Sequence, residues 1–255
     1  MTRTHVIIPD SHANPKYHNK RFDYIGRYLV DTKPDVVINM GDLADMASLS
    51  SYDKGKKDFK DRKYSEDIAS AVDAQDRIWH PLRKQKKRMP RRFQLVGNHE
   101  HRITRALTYD PILEGTMGLK DLQFEYYNDV VVGYDGDTPG TISIDGVLYS
   151  HYFLTGLTGN SVGGENPAAS ILGKKFMSAT QGHSHVWDFS IRTNGKGQKL
   201  CGLVAGVYQD WRAPFAGQSN DLWTSGITVC HNVDNGWYEV QFISLESLKR
   251  EYGGR

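Results

Sequence analysis

The sequence contains only two cysteines and no long apolar run. Cys201 and Cys230 both lie in strand-like segments, so we expect buried free thiols rather than a disulfide framework, and hence a reducing, cytoplasmic compartment. No apolar stretch approaches the roughly 20 residues that span a bilayer. The first residues lack the apolar core of a secretory signal, because Pro9 and Asp10 interrupt the first strand. These absences argue against a secreted disulfide-rich domain and predict a protein without membrane contact.

A strong excess of charge is also lacking. The 255 residues carry a net charge of +2, and 38% are hydrophobic, which is typical of a soluble globular protein. This net charge does not by itself indicate a nucleic-acid partner. Two basic clusters nevertheless flank residues 97–100, and with interleaved aromatic side chains they either contact a polyanion or form solvated surface. The first cluster is Lys54, Lys56, Lys57, Lys60, Arg62 and Lys63, and the second is Arg83, Lys84, Lys86, Lys87, Arg88, Arg91 and Arg92.

The first half of the sequence alternates strand and helix patterns, which predicts parallel βαβ units. Strand patterns cover residues 5–9, 36–39 and 93–96, and helical patterns cover residues 17–31 and 64–86. Ser65 is a candidate N-cap of the second helix, and Pro81 is expected to bend or break that helix.

The second half has the turn signals of antiparallel strands. These signals are the dipeptides Asp145-Gly146, Asn194-Gly195 and Asn235-Gly236. Strands are predicted at 141–144, 147–150, 179–183, 187–193, 199–206, 224–231 and 236–244. A short helix is predicted at 168–177, and residues 154–166 are expected to form a mobile loop. We therefore expect one domain over residues 1–255, with a basic helical insert at about 48–92.

Polar residues of the kinds that bind metals follow five of these strands. Open α/β sheets form their ligand sites where the strands end, so five such groups predict one shared site. The groups are Asp10 and His12 in PDSH, Asp42 in MGDLAD, Asn98 and His99 in GNHE, His151 in YSHYF, and His183 and His185 in QGHSH. Histidines outside these groups are interpreted as ordinary surface or core residues.

This set of side chains suits two divalent transition metal ions. Carboxylate oxygen, neutral imidazole and amide oxygen are ligands for manganese, iron, zinc or nickel, and cysteine is absent from the set. A carboxylate such as Asp42 can bridge two ions about 3.5–4 Å apart. We expect two ions per chain, with manganese as the first expectation. Magnesium fits less well because its sites are richer in carboxylates and water.

The ordered motifs D-x-H, G-D-x-x-D, G-N-H-E, H and G-H-x-H run from Asp10 to His185. Together they resemble the calcineurin-like metallophosphoesterase superfamily, and most closely its soluble bacterial and phage-encoded members. The resemblance implies an α/β fold in which two mixed β-sheets pack as a sandwich flanked by helices. It also implies a ligand set: Asp10, His12 and His185 hold one metal, Asp42 bridges, and Asn98, His151 and His183 complete the second.

The residues around GNHE receive roles from the same resemblance and from their chemistry. The resemblance implies that His99 stays unligated, faces the substrate and acts as the general acid. Gly97 would let the backbone turn sharply, and Glu100 would fix a neighbouring loop or histidine. Arg102 either pairs with a phosphate oxygen or is an ordinary surface arginine. Asp45 either orients a nearby ligand or caps the following turn.

One branch of the superfamily fits poorly. Protein serine/threonine phosphatases have arginine directly after the second acid of G-D-x-x-D, whereas Met46 follows Asp45 here. The chain between Asp42 and Asn98 is also long. Both features argue against a protein-phosphatase role.

The sequence thus predicts a metal-dependent phosphoric ester hydrolase. A hydroxide that bridges the metals would attack phosphorus, and His99 would protonate the leaving oxygen. A nucleotide or nucleic-acid phosphodiester is the preferred substrate, and a phosphomonoester of a small molecule or nucleic-acid end is the alternative. A non-catalytic nucleic-acid-binding protein with structural metals is a third interpretation, but an unligated His99 argues against it. No oligomeric state is predicted.

Overall fold

The fold is described here from a computed structural model over residues 2–156 and 159–254, without the side chain of Asp58. In chain order, the strands are β1 (Arg3–Ile8), β2 (Val36–Asn39), β3 (Arg91–Leu95), β4 (Val130–Val132), β5 (Tyr134–Asp135), β6 (Thr138–Pro139), β7 (Thr141–Ile144), β8 (Val147–Ser150), β9 (Leu154–Thr155), β10 (Asn160–Ser161), β11 (Ala179–Gln181), β12 (Trp187–Thr193), β13 (Lys199–Ala205), β14 (Gly226–Asp234) and β15 (Trp237–Ser244). The α-helices are α1 (Lys20–Thr32), α2 (Tyr64–Lys84), α3 (His101–Tyr109), α4 (Phe124–Tyr127), α5 (Pro167–Lys175) and α6 (Leu245–Tyr252).

Two mixed sheets contain most of these strands. The first sheet has the order β15-β14-β1-β2-β3-β4, in which β1 to β4 are parallel and β14 and β15 are antiparallel. The second has the order β12-β13-β11-β8-β7, with β13, β11 and β8 parallel. The β7–β8 and β14–β15 connections turn at Asp145-Gly146 and Asn235-Gly236, which all have positive φ, as tight hairpin turns require.

The two sheets pack face to face, and helices cover their outer faces. The core between the sheets joins Ile38 and Phe93 of the first sheet to Tyr149 and Leu203 of the second. Helices α1, α2 and α6 pack on the outer face of the first sheet, and α5 packs on the outer face of the second. The predicted α/β sandwich of two mixed sheets flanked by helices is confirmed. None of the helices in the described ranges is long and apolar enough to cross a bilayer.

The N-cap predicted for α2 is wrong, and the break that was one of the two expectations for Pro81 does not occur. The N-cap is Lys63, so Ser65 lies in the first turn, and no side chain caps this end. Pro81 does not end the helix, which continues to Lys84. Pro81 cannot donate a hydrogen bond to the Arg77 carbonyl, and α1 lies against this position at Gly26. A β-carbon on Gly26 would come within 2.6 Å of that carbonyl oxygen, so close helix packing holds the turn in place.

The segment predicted as a loop at 154–166 contains the short β9–β10 hairpin. Residues 157–158 of this prediction lie outside the described residues.

The two basic clusters lie at opposite ends of α2. The first precedes Tyr64, and the second runs from the last turn of α2 into the beginning of β3. A helix of 21 residues is about 31 Å long. The second cluster ends in the first residues of β3, whereas the GNHE residues follow the last residue of β3. The cluster and the GNHE residues are therefore close in sequence but lie at opposite ends of this strand.

A buried histidine connects the two sheets by hydrogen bonds. The Nδ1 atom of His5 in β1 lies 2.9 Å from the Tyr149 hydroxyl of β8. The Nε2 atom of the same ring lies 2.9 Å from Asp145 Oδ2. Asp145 also accepts a 2.8 Å hydrogen bond from Arg3. Burial lowers the pKa of His5 and so favours the neutral imidazole, although Asp145 partly opposes the shift.

Replacing Tyr149 with phenylalanine should therefore destabilise the sandwich. The change leaves a buried imidazole nitrogen without its partner, which costs about 1–3 kcal/mol of unfolding free energy. Urea denaturation measures that cost. The matched control is Tyr109→Phe, because this side chain is 86% exposed and its replacement should change stability by less than about 0.5 kcal/mol. Equal stability of the two variants would contradict the role given to the bridge.

Candidate metal centre

Five strands bring the chemically active side chains to one edge of the sandwich. In the first sheet, these side chains follow the carboxyl ends of the parallel strands β1, β2 and β3. In the second sheet, they follow the parallel strands β8 and β11. Because the sheets pack face to face, the two sets of strand ends meet. The site is therefore built from both halves of the chain.

A first group of ligand atoms comes from Asp10, His12 and His185. His12 Nε2 lies 3.1 Å from His185 Nε2, and His185 Nε2 lies 3.4 Å from Asp10 Oδ2. At metal–ligand distances of about 2.1 Å, neighbouring ligand atoms are about 3.0–3.4 Å apart in octahedral or tetrahedral geometry. The spacing therefore matches what a cation at the centre of the group would require.

A second group lies beside the first and contains Asp42, Asn98, His151 and His183. His151 Nε2 is 3.4 Å from Asp42 Oδ2 and 2.9 Å from Asn98 Oδ1, and His183 Nδ1 is 2.8 Å from the same amide oxygen. The Nδ1 atom of His151 donates to the Met40 carbonyl at 2.9 Å. That hydrogen bond places a proton on Nδ1 and directs Nε2 at the group, so Nε2 is the nitrogen that could bind a metal once it has lost its proton.

A third combination of ligand atoms connects the other two. Atoms of His12, Asp42 and His99 also lie within 4.8 Å of one another. Asp42 belongs to the second and third combinations, and His12 to the first and third. The structure thus places His99 within reach of a cation, whereas the sequence interpretation left it unligated and facing the substrate.

The electrostatics of the two groups call for positive charge. Asp10 and Asp42 are almost fully buried. Burial alone would raise the pKa of Asp42, but the His151 and His99 imidazoles outweigh it and hold that pKa well below its usual range. The same pairing overcomes the effect of burial on His151 and raises its pKa to about 10. Among the described residues, Asp10 Oδ1 has no hydrogen-bond partner. A cation would satisfy these buried carboxylates, so the side chains present fit divalent metal ions.

Two glycines are required because the backbone passes directly over the carboxylates. A β-carbon at Gly97 would lie 2.1 Å from Asp42 Oδ1, and one at Gly182 would lie 2.2 Å from Asp10 Oδ1. Gly97 is not among the residues with positive φ. The sharp turn expected at Gly97 is therefore not the reason for a glycine there; close contact with the Asp42 carboxylate is.

Several ligand-bearing loops adopt an unusual backbone conformation. His12, Asp42, His183 and His185 all have φ between 44° and 69°, a region that costs non-glycine residues energy and that clusters at functional sites. Glu100 helps to hold one of these loops. Its carboxylate accepts hydrogen bonds from the backbone of Asp42, Ala44 and Gly97 at 2.8–3.0 Å. This contact corresponds to the loop-fixing alternative for Glu100.

A fully buried arginine, which the sequence interpretation missed, holds the loop that carries Asp10 and His12. Arg21 of α1 donates to the carbonyls of Ser11 and His12 at 2.6 and 3.2 Å, and to that of Tyr208 at 3.1 Å. The signal was present in the sequence. Arg21 falls on the apolar stripe of α1, four residues before Ile25, where a charged residue needs buried partners.

Asp45, His99 and Arg102 form a hydrogen-bonded group next to the ligands. Asp45 Oδ1 is 3.2 Å from His12 Nδ1 and 3.0 Å from His99 Nδ1, so this carboxylate orients two imidazoles. Arg102 donates to the Asp45 carbonyl at 2.9 Å and lies 3.1 Å from His99 Nε2. A guanidinium can only donate, so Nε2 of His99 accepts here and its proton is on Nδ1. Arg102 is thus part of the site's structure.

A pocket of about 220 Å³ opens over these groups. Its lining includes Asp42, Asn98 and His185, and also two aromatic residues that the sequence interpretation did not select, Phe215 and Trp223. The Trp223 ring packs edge-to-face on His185, with centroids 4.3 Å apart. No local pattern in the connection between β13 and β14 identifies this wall.

Comparison with known proteins adds little. No protein-family model matches the chain, and no curated protein matches it. Among solved structures, one described as a novel archaeal phosphodiesterase has a TM-score of 0.40 and 11% identity, and the match covers 94% of this chain and 99% of that one. A second has a TM-score of 0.40 and 10% identity over 96% and 100% of the two chains. At these TM-scores neither match carries an argument about function, which rests on the site itself.

The glycine contacts lead to a test of the centre. Gly97→Ala should lose most of its bound metal, because the new methyl group must displace the Asp42 carboxylate. The strands should still form, since residue 97 lies beyond β3. Elemental analysis after equilibration with Mn²⁺ reports the metal content, and circular dichroism reports the fold. Gly195→Ala is the control, because its β-carbon meets nothing within 4 Å. Unchanged metal content in Gly97→Ala would contradict the assignment of Asp42.

Proposed function

We propose that the chain is a metal-dependent phosphoesterase that uses two divalent transition metal ions to hydrolyse a phosphodiester of a nucleotide or nucleic acid. The observation that carries the proposal is the convergence of seven side chains from both sheets on two adjoining groups. In this proposal, Asp10, His12 and His185 hold one ion, Asp42 bridges, and Asn98, His151 and His183 complete the second.

The pocket argues for a catalytic rather than a structural centre. Structural metal sites have a closed ligand shell, whereas catalytic sites keep a position open to substrate. Here Asp42, Asn98, His183 and His185 all line the open pocket. A ligand that enters the pocket therefore meets both proposed metal positions, which supports an enzyme over a nucleic-acid-binding protein with structural metals.

The donor set supports transition metals. Four imidazoles and an amide oxygen with two carboxylates suit manganese first, and also iron, zinc or nickel. When bound, such ions supply an activated water as nucleophile and polarise the phosphoryl oxygens. The remaining steps fall to the side chains that surround them.

His99 and Arg102 would act together on the leaving group. Arg102 donates towards His99 Nε2 in this structure. A phosphate oxygen in the pocket would compete for that guanidinium, because a charged acceptor binds it more strongly than a neutral nitrogen does. His99 Nε2 would then be free to take up a proton from solvent, and the resulting imidazolium would pass it to the leaving oxygen while Asp45 keeps the ring oriented through Nδ1.

The charge of the pocket favours a diester over a monoester. Arg102 reaches the pocket only beside His99, and none of the described residues that line the pocket itself is lysine or arginine. A diester carries one negative charge, whereas a terminal phosphate carries up to two and gains more from additional cations. The phosphomonoesterase alternative is therefore second.

The basic insert contributes less than its sequence suggests. Lys56 and Arg62 both pair with Asp53, at 2.6 and 2.8 Å, and Lys63 pairs with Glu66 at 2.8 Å. The second cluster lies about a helix length, roughly 31 Å, from the first. A nucleotide or a nucleic-acid end that reaches the pocket does not need to touch both clusters.

Metal removal gives the most direct test of the proposal. Exhaustive chelation should abolish hydrolysis of bis-p-nitrophenyl phosphate, and Mn²⁺ should restore it. Full activity after chelation would overturn the two-metal mechanism. Faster hydrolysis of p-nitrophenyl phosphate than of the diester would favour the phosphomonoesterase alternative over the proposed phosphodiesterase. DNA binding without any hydrolysis would favour the non-catalytic protein.

Substitutions at the neighbouring positions 98 and 99 distinguish the proposed metal ligand from the proposed general acid. Asn98→Ala should lower metal occupancy together with activity. His99→Ala should keep its metal and lose roughly 10²–10⁴-fold in kcat on alkyl diesters, the usual contribution of a positioned acid. The loss should be smaller with p-nitrophenolate as leaving group, because this weakly basic oxide needs little protonation.

Elemental analysis of both variants accompanies the kinetics. If His99→Ala loses metal, then His99 is a ligand, as its contact with the His12 and Asp42 combination allows. If all leaving groups slow equally, His99 positions the substrate and is not the acid.

A further inference from the structure

We infer that the connection from Trp211 to Trp223, called the aromatic loop below, is a subsite for the nucleobase of the substrate, with Phe215 as its stacking surface. The inference rests on the proposed function, since it names the organic group attached to the phosphoester. Phe215 is 77% exposed, yet it lines the same pocket as Asp42, Asn98 and the histidine ligands. An aromatic ring at the mouth of a polar pocket offers a ligand an apolar surface beside the polar groups that orient it.

The two aromatic side chains form one wall. Trp223 packs against His185, with ring centroids 4.3 Å apart and planes at 82°. Phe215 lies farther out, 6.3 Å from Trp223 at an interplanar angle of 56°. Trp223 thus connects the wall to the proposed ligand set, and Phe215 extends it towards solvent. A group held against Phe215 is therefore next to a phosphoester bound at the metals.

The aromatic loop is braced by its own hydrogen bonds. Asn220 accepts from the Ala213 amide at 2.8 Å and donates to the carbonyls of Ala213 and Gly217 at 3.0 and 2.8 Å. Arg212 pairs with Asp221 at 2.7 Å. These contacts fix the backbone on both sides of Phe215. With this backbone fixed before binding, only the side-chain torsions of Phe215 remain to be ordered when a ligand stacks on its ring.

Tyr17 supports the beginning of the aromatic loop. Its ring stacks on Trp211 with centroids 4.2 Å apart and planes within 5°. The loop is therefore attached to the segment that follows His12 as well as to His185. Both attachments hold it at the site.

The chemistry of the wall favours a nucleobase over other organic groups. Between Phe215 and Leu222, the aromatic loop has the sequence Ala-Gly-Gln-Ser-Asn-Asp, so it offers no continuous apolar surface to an acyl chain. A nucleobase is flat, and any nucleobase can stack its face on a single aromatic side chain. Ser184 also lines this pocket, and its buried Oγ has no hydrogen-bond partner among the described residues.

Binding measurements on the Mn²⁺-loaded protein test the subsite without relying on turnover. Titration calorimetry with adenosine monophosphate, ribose 5-phosphate and inorganic phosphate isolates the contribution of the base. We expect the nucleotide to bind at least about tenfold more tightly than ribose 5-phosphate, as base stacking on one aromatic ring predicts. Phe215→Ala should remove this preference and leave the affinity for ribose 5-phosphate unchanged.

Three further variants make the result specific. Phe215→Tyr keeps an aromatic face and should retain the preference, whereas Phe215→Leu keeps apolar volume without a flat ring and should lose it. Leu222→Ala is the control, since this side chain is 70% exposed on the same loop and does not line the pocket. Metal content and circular dichroism should be the same in all variants, and Phe215→Tyr and Phe215→Leu serve if the alanine variant fails to fold.

Each other outcome overturns the subsite or separates it from the proposed function. Equal affinity of the unmodified protein for the nucleotide and ribose 5-phosphate overturns it. If Phe215→Ala lowers the affinity for the nucleotide and for ribose 5-phosphate equally, the ring contacts the sugar, and this outcome also overturns the nucleobase subsite. A base-dependent affinity that disappears in Phe215→Ala, in a protein that hydrolyses neither a phosphodiester nor a phosphomonoester, would support the subsite and refute the phosphoesterase.

Discussion

The architecture of the site depends on two carboxylates, Asp10 and Asp42, that are buried where the two sheets meet. A buried carboxylate is stable only beside positive charge or hydrogen-bond donors, and here imidazoles from four separate chain segments surround the pair. The backbone passes so close to them that only glycine fits at positions 97 and 182. The left-handed conformations of the neighbouring histidines, the amides bound by Glu100 and the carbonyls bound by Arg21 all follow from fixing loops around these two charges.

Much of this could be predicted because the determinants are local. Buried strands leave apolar runs, Asp-Gly and Asn-Gly pairs mark hairpin turns, and polar residues after strand ends indicate a site. The α/β sandwich followed from these features and the family resemblance, and every ligand candidate lies at the edge where the strands end. The same local rules were wrong at Ser65, which is not the N-cap, and Pro81 does not break the helix where α1 packs closely against it.

The contacts that could not be predicted join residues distant in sequence. Arg21 binds a carbonyl 187 positions away, and nothing around residue 215 indicates that its ring reaches the pocket. Proximity in sequence was also misleading for the second basic cluster, which precedes the GNHE residues by one strand and therefore lies at the other edge of the sheet. Local patterns identify which side chains are available, whereas the topology decides which of them share a pocket.

The division of the ligands between the two sheets has a consequence for folding. Each proposed ion would join residues before position 100 to residues after position 150, so neither position exists until the sandwich has closed over most of the chain. Contacts between such distant residues form slowly, because a long loop must be ordered first. Cations that bind only the closed form would stabilise it by mass action. They would act as reversible cross-links between the sheets, and the supply of metal would then help to determine how much folded protein persists.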